Sequence, residues 1–220
     1  MRETFHGQLA QLGTELAGMC EFAAEAMRLA TQALLENDLE LAERVGAGDA
    51  RMDRARNLCD DHALKLLALQ QPVATDLRTI VAAVYCAVKL ERMGDLAAHI
   101  ADITRRNHPR RVVPQGMETG FRTLASLDEH MARRLALAIL GDVTEGVFAE
   151  LDRTDDSVDV LHAELMAAVT TEKWPHGIPT AINIALLARF YERFADQAVH
   201  VAQRLEFIAA GTLPDYSARS

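Results

Sequence analysis

Four pairs of carboxylates stand at helical i, i+4 spacing in this chain: Asp49 and Asp53 in DARMD, Glu91 and Asp95 in LERMGD, Asp155 and Asp159 in DDSVD, and Glu192 and Asp196 in YERFAD. Each pair projects two acids from one face of a helix. Carboxylates arranged this way on facing helices form a hard-oxygen site, suited to iron, manganese, magnesium or zinc rather than to copper or a thiolate-seeking ion. His99 and His200 follow Asp95 and Asp196 by one more turn. Either could complete a coordination shell or orient a ligand carboxylate from outside it. The plain alternatives are a His packed at the edge of the core with one ring nitrogen bonded, and acids on solvated faces beside Arg92 and Arg193.

Placement on the helix weighs against the plain alternative. Leu77, Val81, Val84 and Val88 step by three and four residues into Glu91, Asp95 and Ala98, which puts the first pair on the apolar seam of its helix. Buried like charges cost several kcal/mol each unless a cation compensates them. Ala185, Ala188, Ala195 and Val199 share a face with Glu192 and Asp196, and small residues leave room for an ion. Asp53 and Glu91 are equidistant from Pro72, and Asp159 and Glu192 nearly so from Pro175. Antiparallel hairpins turning at those prolines set the acids of neighbouring helices level with one another.

The elements that must position these acids are helices. All six prolines fall between apolar-periodic segments, and no stretch alternates convincingly with period two. Phe5, Leu9, Leu12, Leu16, Met19, Ala23, Ala26 and Ala30 mark a first helix, and Gly46 with Gly48 divides it from a second running through Met52, Cys59, Leu66 and Leu69 to a turn at Gln71 and Pro72. A third runs from there to about Arg106. The basic, proline-bearing stretch RRNHPRRVVPQG, Arg105 to Gly116, reads as a linker, with 109–116 as the segment between the two repeats. Beyond it Phe121, Leu124, Leu127, Met131 and Leu135 open a fourth helix, a fifth ends near Thr171, and a sixth spans about Thr180 to Ala210. ERMGDLAAHIA and ERFADQAVHVA match in register, and DARMD echoes DDSVD, so three helices repeat as three helices.

Composition narrows the function. The 220 residues, half of them apolar, suffice for one large core or two small ones. A net charge of -9 argues against coating nucleic acid or an anionic membrane. No apolar run approaches the roughly 20 residues that cross a bilayer, and no secretory signal opens the chain, so a cytoplasmic protein is expected. Cys20, Cys59 and Cys86 lie inside apolar helical patterns without CxxC spacing and read as buried, reduced thiols.

The opening MRETFHGQLAQL, QPVATDLRTI from Gln71 to Ile80, LERMGD, and RFYERFAD followed by Gly211 and Thr212 resemble the PhoU family of phosphate-regulatory proteins over nearly the whole chain. The resemblance implies an all-α fold of two tandem three-helix bundles, here residues 1–108 and 117–213. It implies metal clusters at the E/DxxxD motifs, which fall on Asp49, Asp53, Glu91 and Asp95 and on Asp155, Asp159, Glu192 and Asp196, with His99 and His200 as further candidates. It also implies a cytoplasmic, often dimeric adaptor, lying at the inner face of the membrane only through its partners. Its role would be to repress the phosphate-starvation response by linking the ATPase of the high-affinity phosphate ABC transporter to a sensor histidine kinase. Two departures stand out: His99 and His200 replace the family's usual Asn, and WPHGIPTA from Trp174 to Ala181 stands where the second half would repeat QPVATDLR.

Two other classes compete with the adaptor. A carboxylate-bridged di-metal enzyme needs two ExxH motifs on inner helices, and the only ExxH here, Glu3 to His6, is terminal. No His is followed directly by Asp as an HD hydrolase requires, and there is no GxSxG, phosphate-binding glycine loop or HExxH, so no enzymatic activity is expected. The remaining class is a metal or phosphate buffer, in which the bound ions are themselves the product.

Overall fold

The computed structural model describes residues 2–70, 74–141 and 146–210, and side chains within 5–68, 75–141 and 146–208. It contains six helices: α1 (Arg2–Glu36), α2 (Leu39–Gln70), α3 (Ala74–Asn107), α4 (Glu118–Ile139), α5 (Val147–Thr170) and α6 (Gly177–Ala210). No strand occurs among the described residues. The expected turn at Gln71 and Pro72 lies outside them, as do Gly211 and Thr212.

The break between α1 and α2 falls at Asn37 and Asp38, and not at Gly46 and Gly48, which lie inside α2. Local chemistry explains the correction. Asn37 adopts a left-handed φ of 58°, which ends α1, and Asp38 Oδ1 accepts the Leu41 N–H at 2.9 Å, capping α2. The linker braces this turn: Asn37 Nδ2 donates to the Pro109 carbonyl at 2.9 Å and Arg111 Nη2 to the Leu35 carbonyl at 2.7 Å. Pro179 sits in the first turn of α6, where a missing N–H removes no helical bond.

The halves are layered. Helix α2 packs on α1 and α3, those two pack on α4 and α6 of the second half, and α5 covers α6 and α4 from the far side. The two three-helix bundles thus share one continuous core, which holds Cys20, Cys59 and Cys86 as free thiols. Alanines such as Ala23, Ala30, Ala87 and Ala198 let the helices approach closely. At the junction, the buried Tyr191 hydroxyl meets Thr31 Oγ1 at 2.6 Å. Because Thr31 also donates to the Met27 carbonyl, Tyr191 is the donor in that pair. Antiparallel α3 and α6 are pinned by Lys89 on Gln197 and Asn183 on Asn107, both at 3.2 Å.

The expected seam of α3 is also corrected. Leu77, Val81 and Val88 are exposed, Val81 by 54 %. The buried face runs instead through Ile80, Ala83, Ala87, Leu90, Ala97 and Ile100. Helix α3 touches α1, α2 and α6 and is apolar around most of its girth, so periodicity alone marks no single stripe on it. On α6 the small-residue neighbours of Glu192 fare better: Ala188, Ala195 and Val199 are buried.

Candidate metal centres

All eight motif carboxylates gather into two clusters, one on the α2–α3 hairpin and one on α5–α6. The first is half-buried. Asp49, Glu91 and Asp95 are partly covered, while Asp53 is exposed. Burial raises the Asp49 carboxyl above the usual range, and the charges of Asp95 and Asp53 push the same way while His99 opposes them. Glu91 is raised by burial and then by Asp95, against the pull of Arg56. The hairpin register differs from the one expected about Pro72. Arg56, not Asp53, faces Glu91 at 3.7 Å, and Gly94 packs against Met52. Arg92 pairs with Asp95 at 3.0 Å. The His99 ring lies against Phe190 with centroids 5.2 Å apart.

The second cluster is deeper. Asp155 is 5 % and Glu192 8 % exposed, Asp196 is half-covered, and Asp159 is at the surface. Burial, followed by the charges of Asp159, Asp196 and Glu192, pushes the Asp155 carboxyl up to about 7. Burial and then Asp196 raise Glu192, and Arg189, which bonds its Oε1, resists. Asp196 is raised by burial against Arg189 and His200. His200 is pushed down by its own burial and by Lys89, with Asp196 opposing, which favours the neutral imidazole that binds metals.

The fit to a cation rests on unmet oxygens. Asp49 Oδ1 in the first cluster, and Asp155 Oδ1 and Glu192 Oε2 in the second, are buried without a hydrogen-bond partner. Neighbouring acids that raise one another's proton affinity are also neutralised by a shared cation, so this donor set fits a hard ion. Among the described residues, no three His, Cys, Asp or Glu side chains already stand close enough to share one.

Sequence reasoning missed three participants. Arg56 and Arg189 supply partial counter-charge and carried no motif. Asp128 on α4 is fully buried, with neither oxygen hydrogen-bonded, and burial followed by the Asp155 charge drives its proton affinity well above normal. Its signal was visible: it falls four residues after Leu124 and three before Met131, on the apolar face of α4.

The PhoU domain family matches the chain twice, at residues 16–104 and 121–205. This chain is a member of the PhoU family. Among its relatives, the phosphate-specific transport system accessory protein PhoU homolog 1 of Mycobacterium leprae is 40% identical over 98% of this chain and 96% of its own length. PhoU homolog 2 of Mycobacterium tuberculosis is 40% identical over 97% of this chain and all of its own. The PhoU fold is matched by the crystal structure of the phosphate transport system regulatory protein PhoU from Streptococcus pneumoniae, with TM-score 0.86 and 24% identity over 96% of this chain and 99% of that one. PhoU from Pseudomonas aeruginosa matches with TM-score 0.84 at 24% identity, covering 94% of this chain and 100% of its own. Both PhoU repeats carry one acidic cluster apiece.

Proposed function

We propose that this chain is a negative regulator of phosphate uptake and of the phosphate-starvation response. It acts as a cation-binding adaptor between the ATPase of a high-affinity phosphate ABC transporter and a sensor histidine kinase. The observation that carries this reading is the double PhoU match together with relatives named as phosphate-transport accessory proteins along nearly the full chain. An adaptor needs faces for partners. Leu77 and Val81 on α3, and Ile178 and Ile182 at the equivalent positions of α6, are exposed apolar pairs that offer surface for protein contacts, a second copy of the chain included. Among the described residues no helix is long and apolar enough to cross a membrane, which is consistent with a cytoplasmic site of action reached through partners.

In this reading Asp49, Asp53, Glu91 and Asp95 hold iron, manganese, magnesium or zinc in the first half, and Asp155, Asp159, Glu192 and Asp196 do so in the second. The ion supplies positive charge that draws α2 to α3 and α5 to α6. The protein's own contribution is a shift in the population of partner-competent conformations, which requires contacts that differ between phosphate-replete and starved states. The PhoU family comprises accessory and regulatory proteins.

The test is deletion of the gene with a phosphate-starvation reporter read in phosphate-rich medium. High output, returned to low by the wild-type chain, is expected, and output unchanged by the deletion would sink the regulatory reading. Complementation with Glu91→Ala, Glu192→Ala then shows whether the clusters are needed for signalling.

A further inference from the structure

The fully buried carboxylate of Asp128 has no role in the family motif and, among the described residues, no hydrogen-bond partner, although its charge acts on the buried Tyr191 hydroxyl. Both of its oxygens lack a hydrogen bond, and no Lys, Arg or His charge acts on it. Protonation alone does not resolve this. A neutral acid here leaves its hydroxyl and carbonyl unmet, which costs roughly 1–3 kcal/mol per group, and a leucine in its place would avoid that cost.

The helix register locates the group. Arg134 on α4 meets Glu150 on α5 at 2.8 Å, and a Cβ on Gly120 would lie 3.6 Å from Leu165. Stepping along the two antiparallel helices from either contact brings Asp128 level with residues 156 and 157, beside Asp155. The Phe121 and Tyr191 rings, 5.7 Å apart, fix parallel α4 and α6 so that Asp128 is level with the Asp196 to Ala198 turn. Asp128 therefore approaches the second cluster from the core side while Asp159 and Asp196 approach it from the rim. Among the described residues the first half has nothing comparable. There the Glu15–His62 contact of 3.3 Å and the Met19–Cys59 contact of 3.9 Å set the register of α1 on α2, and the inward residues level with Asp49 are Met27 and Ala30.

We propose that Asp128 is a fifth, interior carboxylate of the second cluster. It joins Asp155 on a divalent cation that Asp159, Glu192 and Asp196 hold from the rim, and it makes this the tighter of the two sites. This rests on the cation-binding part of the reading above and not on the regulatory part. A small, oxygen-preferring ion such as Mn2+ meets the requirement, since it displaces the proton of Asp128, gains a ligand already stripped of water and relieves the unmet oxygens of Asp128 and Asp155 together.

The test uses the full chain, stripped with a chelator and titrated with Mn2+, with free ion read by electron paramagnetic resonance. Wild type should bind in a tight and a weaker phase. Asp128→Asn, which keeps the volume, should weaken the tight phase tenfold or more, leave the weaker one in place, and reduce the rise in Tm that Mn2+ produces. Asp128→Leu serves the same purpose if the Asn variant fails to fold. Folded variants that bind Mn2+ as wild type does would make Asp128 a protonated core acid and overturn the proposal. A wild type that binds no Mn2+ would overturn it together with both rim sites, while the reporter assay would still decide the regulatory reading.

Discussion

The two carboxylate clusters descend from one motif, yet they sit in different dielectric surroundings. In the first, Glu91 and Asp95 are partly solvated and each has an arginine beside it, Arg56 and Arg92. In the second, Asp155 and Glu192 are buried, and an additional acid, Asp128, stands behind them in the core. Packing around the motifs differs to match. Gly94 lies against Met52 in the first half, and Ala195 and Val158 occupy the equivalent positions in the second. A large side chain facing no Cβ has been exchanged for a smaller one facing a methyl group, which conserves volume across the hairpin. Duplication fixes which residue types face each other, and the surrounding layers fix how strongly their charges are felt.

The largest test of this contrast is pH. Burial and the neighbouring acids push the Asp155 carboxyl up to about 7 in the folded chain, against an ordinary value near 4 unfolded. The folded state therefore binds that proton more tightly. Its stabilising contribution is complete below about pH 4 and is lost as pH rises toward 7, amounting to up to about 4 kcal/mol. Denaturant unfolding at pH 5 and pH 8, followed with a chelator present, should show the loss in wild type and in Asp49→Asn, and a smaller loss in Asp155→Asn, where the raised carboxyls of Asp128 and Glu192 still contribute in the same direction. Equal flattening by both variants would erase the distinction between the clusters.

Next in size is the packing exchange. A Cβ at residue 94 would lie 3.0 Å from Met52 Cγ, so the crowding of Gly94→Ala, about 1–3 kcal/mol, should exceed the roughly 1 kcal/mol that alanine gains in a helix, for a net loss of up to about 2 kcal/mol. Adding Met52→Val, which reproduces the second-half pair, should recover most of that in a double-mutant cycle read by urea unfolding. Additive losses would mean that the two positions do not compensate.

Smallest is the surface. Leu77 and Val81, like their counterparts Ile178 and Ile182, are exposed, so lysine at either pair should change stability by no more than about 0.5 kcal/mol. A variant that stays folded but no longer represses the reporter would assign that half to partner contact, and loss in one half only would show that the repeats have separate partners.

Much of the fold was legible because local rules agree with the tertiary structure. Helix count, the repeat and the reduced thiols follow from apolar spacing, from proline and from Cys context. The errors share a cause. Gly46 and Gly48 suggest a break because glycine disfavours helix, but α2 is held by packing on α1 and α3, which outweighs a penalty of about 1 kcal/mol per glycine. The α3 seam was misassigned because a helix touched on three sides has no single buried stripe. Asp128 was passed over because one acid in an apolar pattern has no repeat to call attention to it.

The sequence by itself determined the six helices, their division into three and three, and the four i, i+4 carboxylate pairs, since all of these depend on spacing along one chain. Only the tertiary structure decided which cluster is buried, that Arg56 faces Glu91, that the halves share one core, and that Asp128 lies behind Asp155. Burial and charge coupling are set by what surrounds a residue in space, and helices far apart in the chain supply those surroundings.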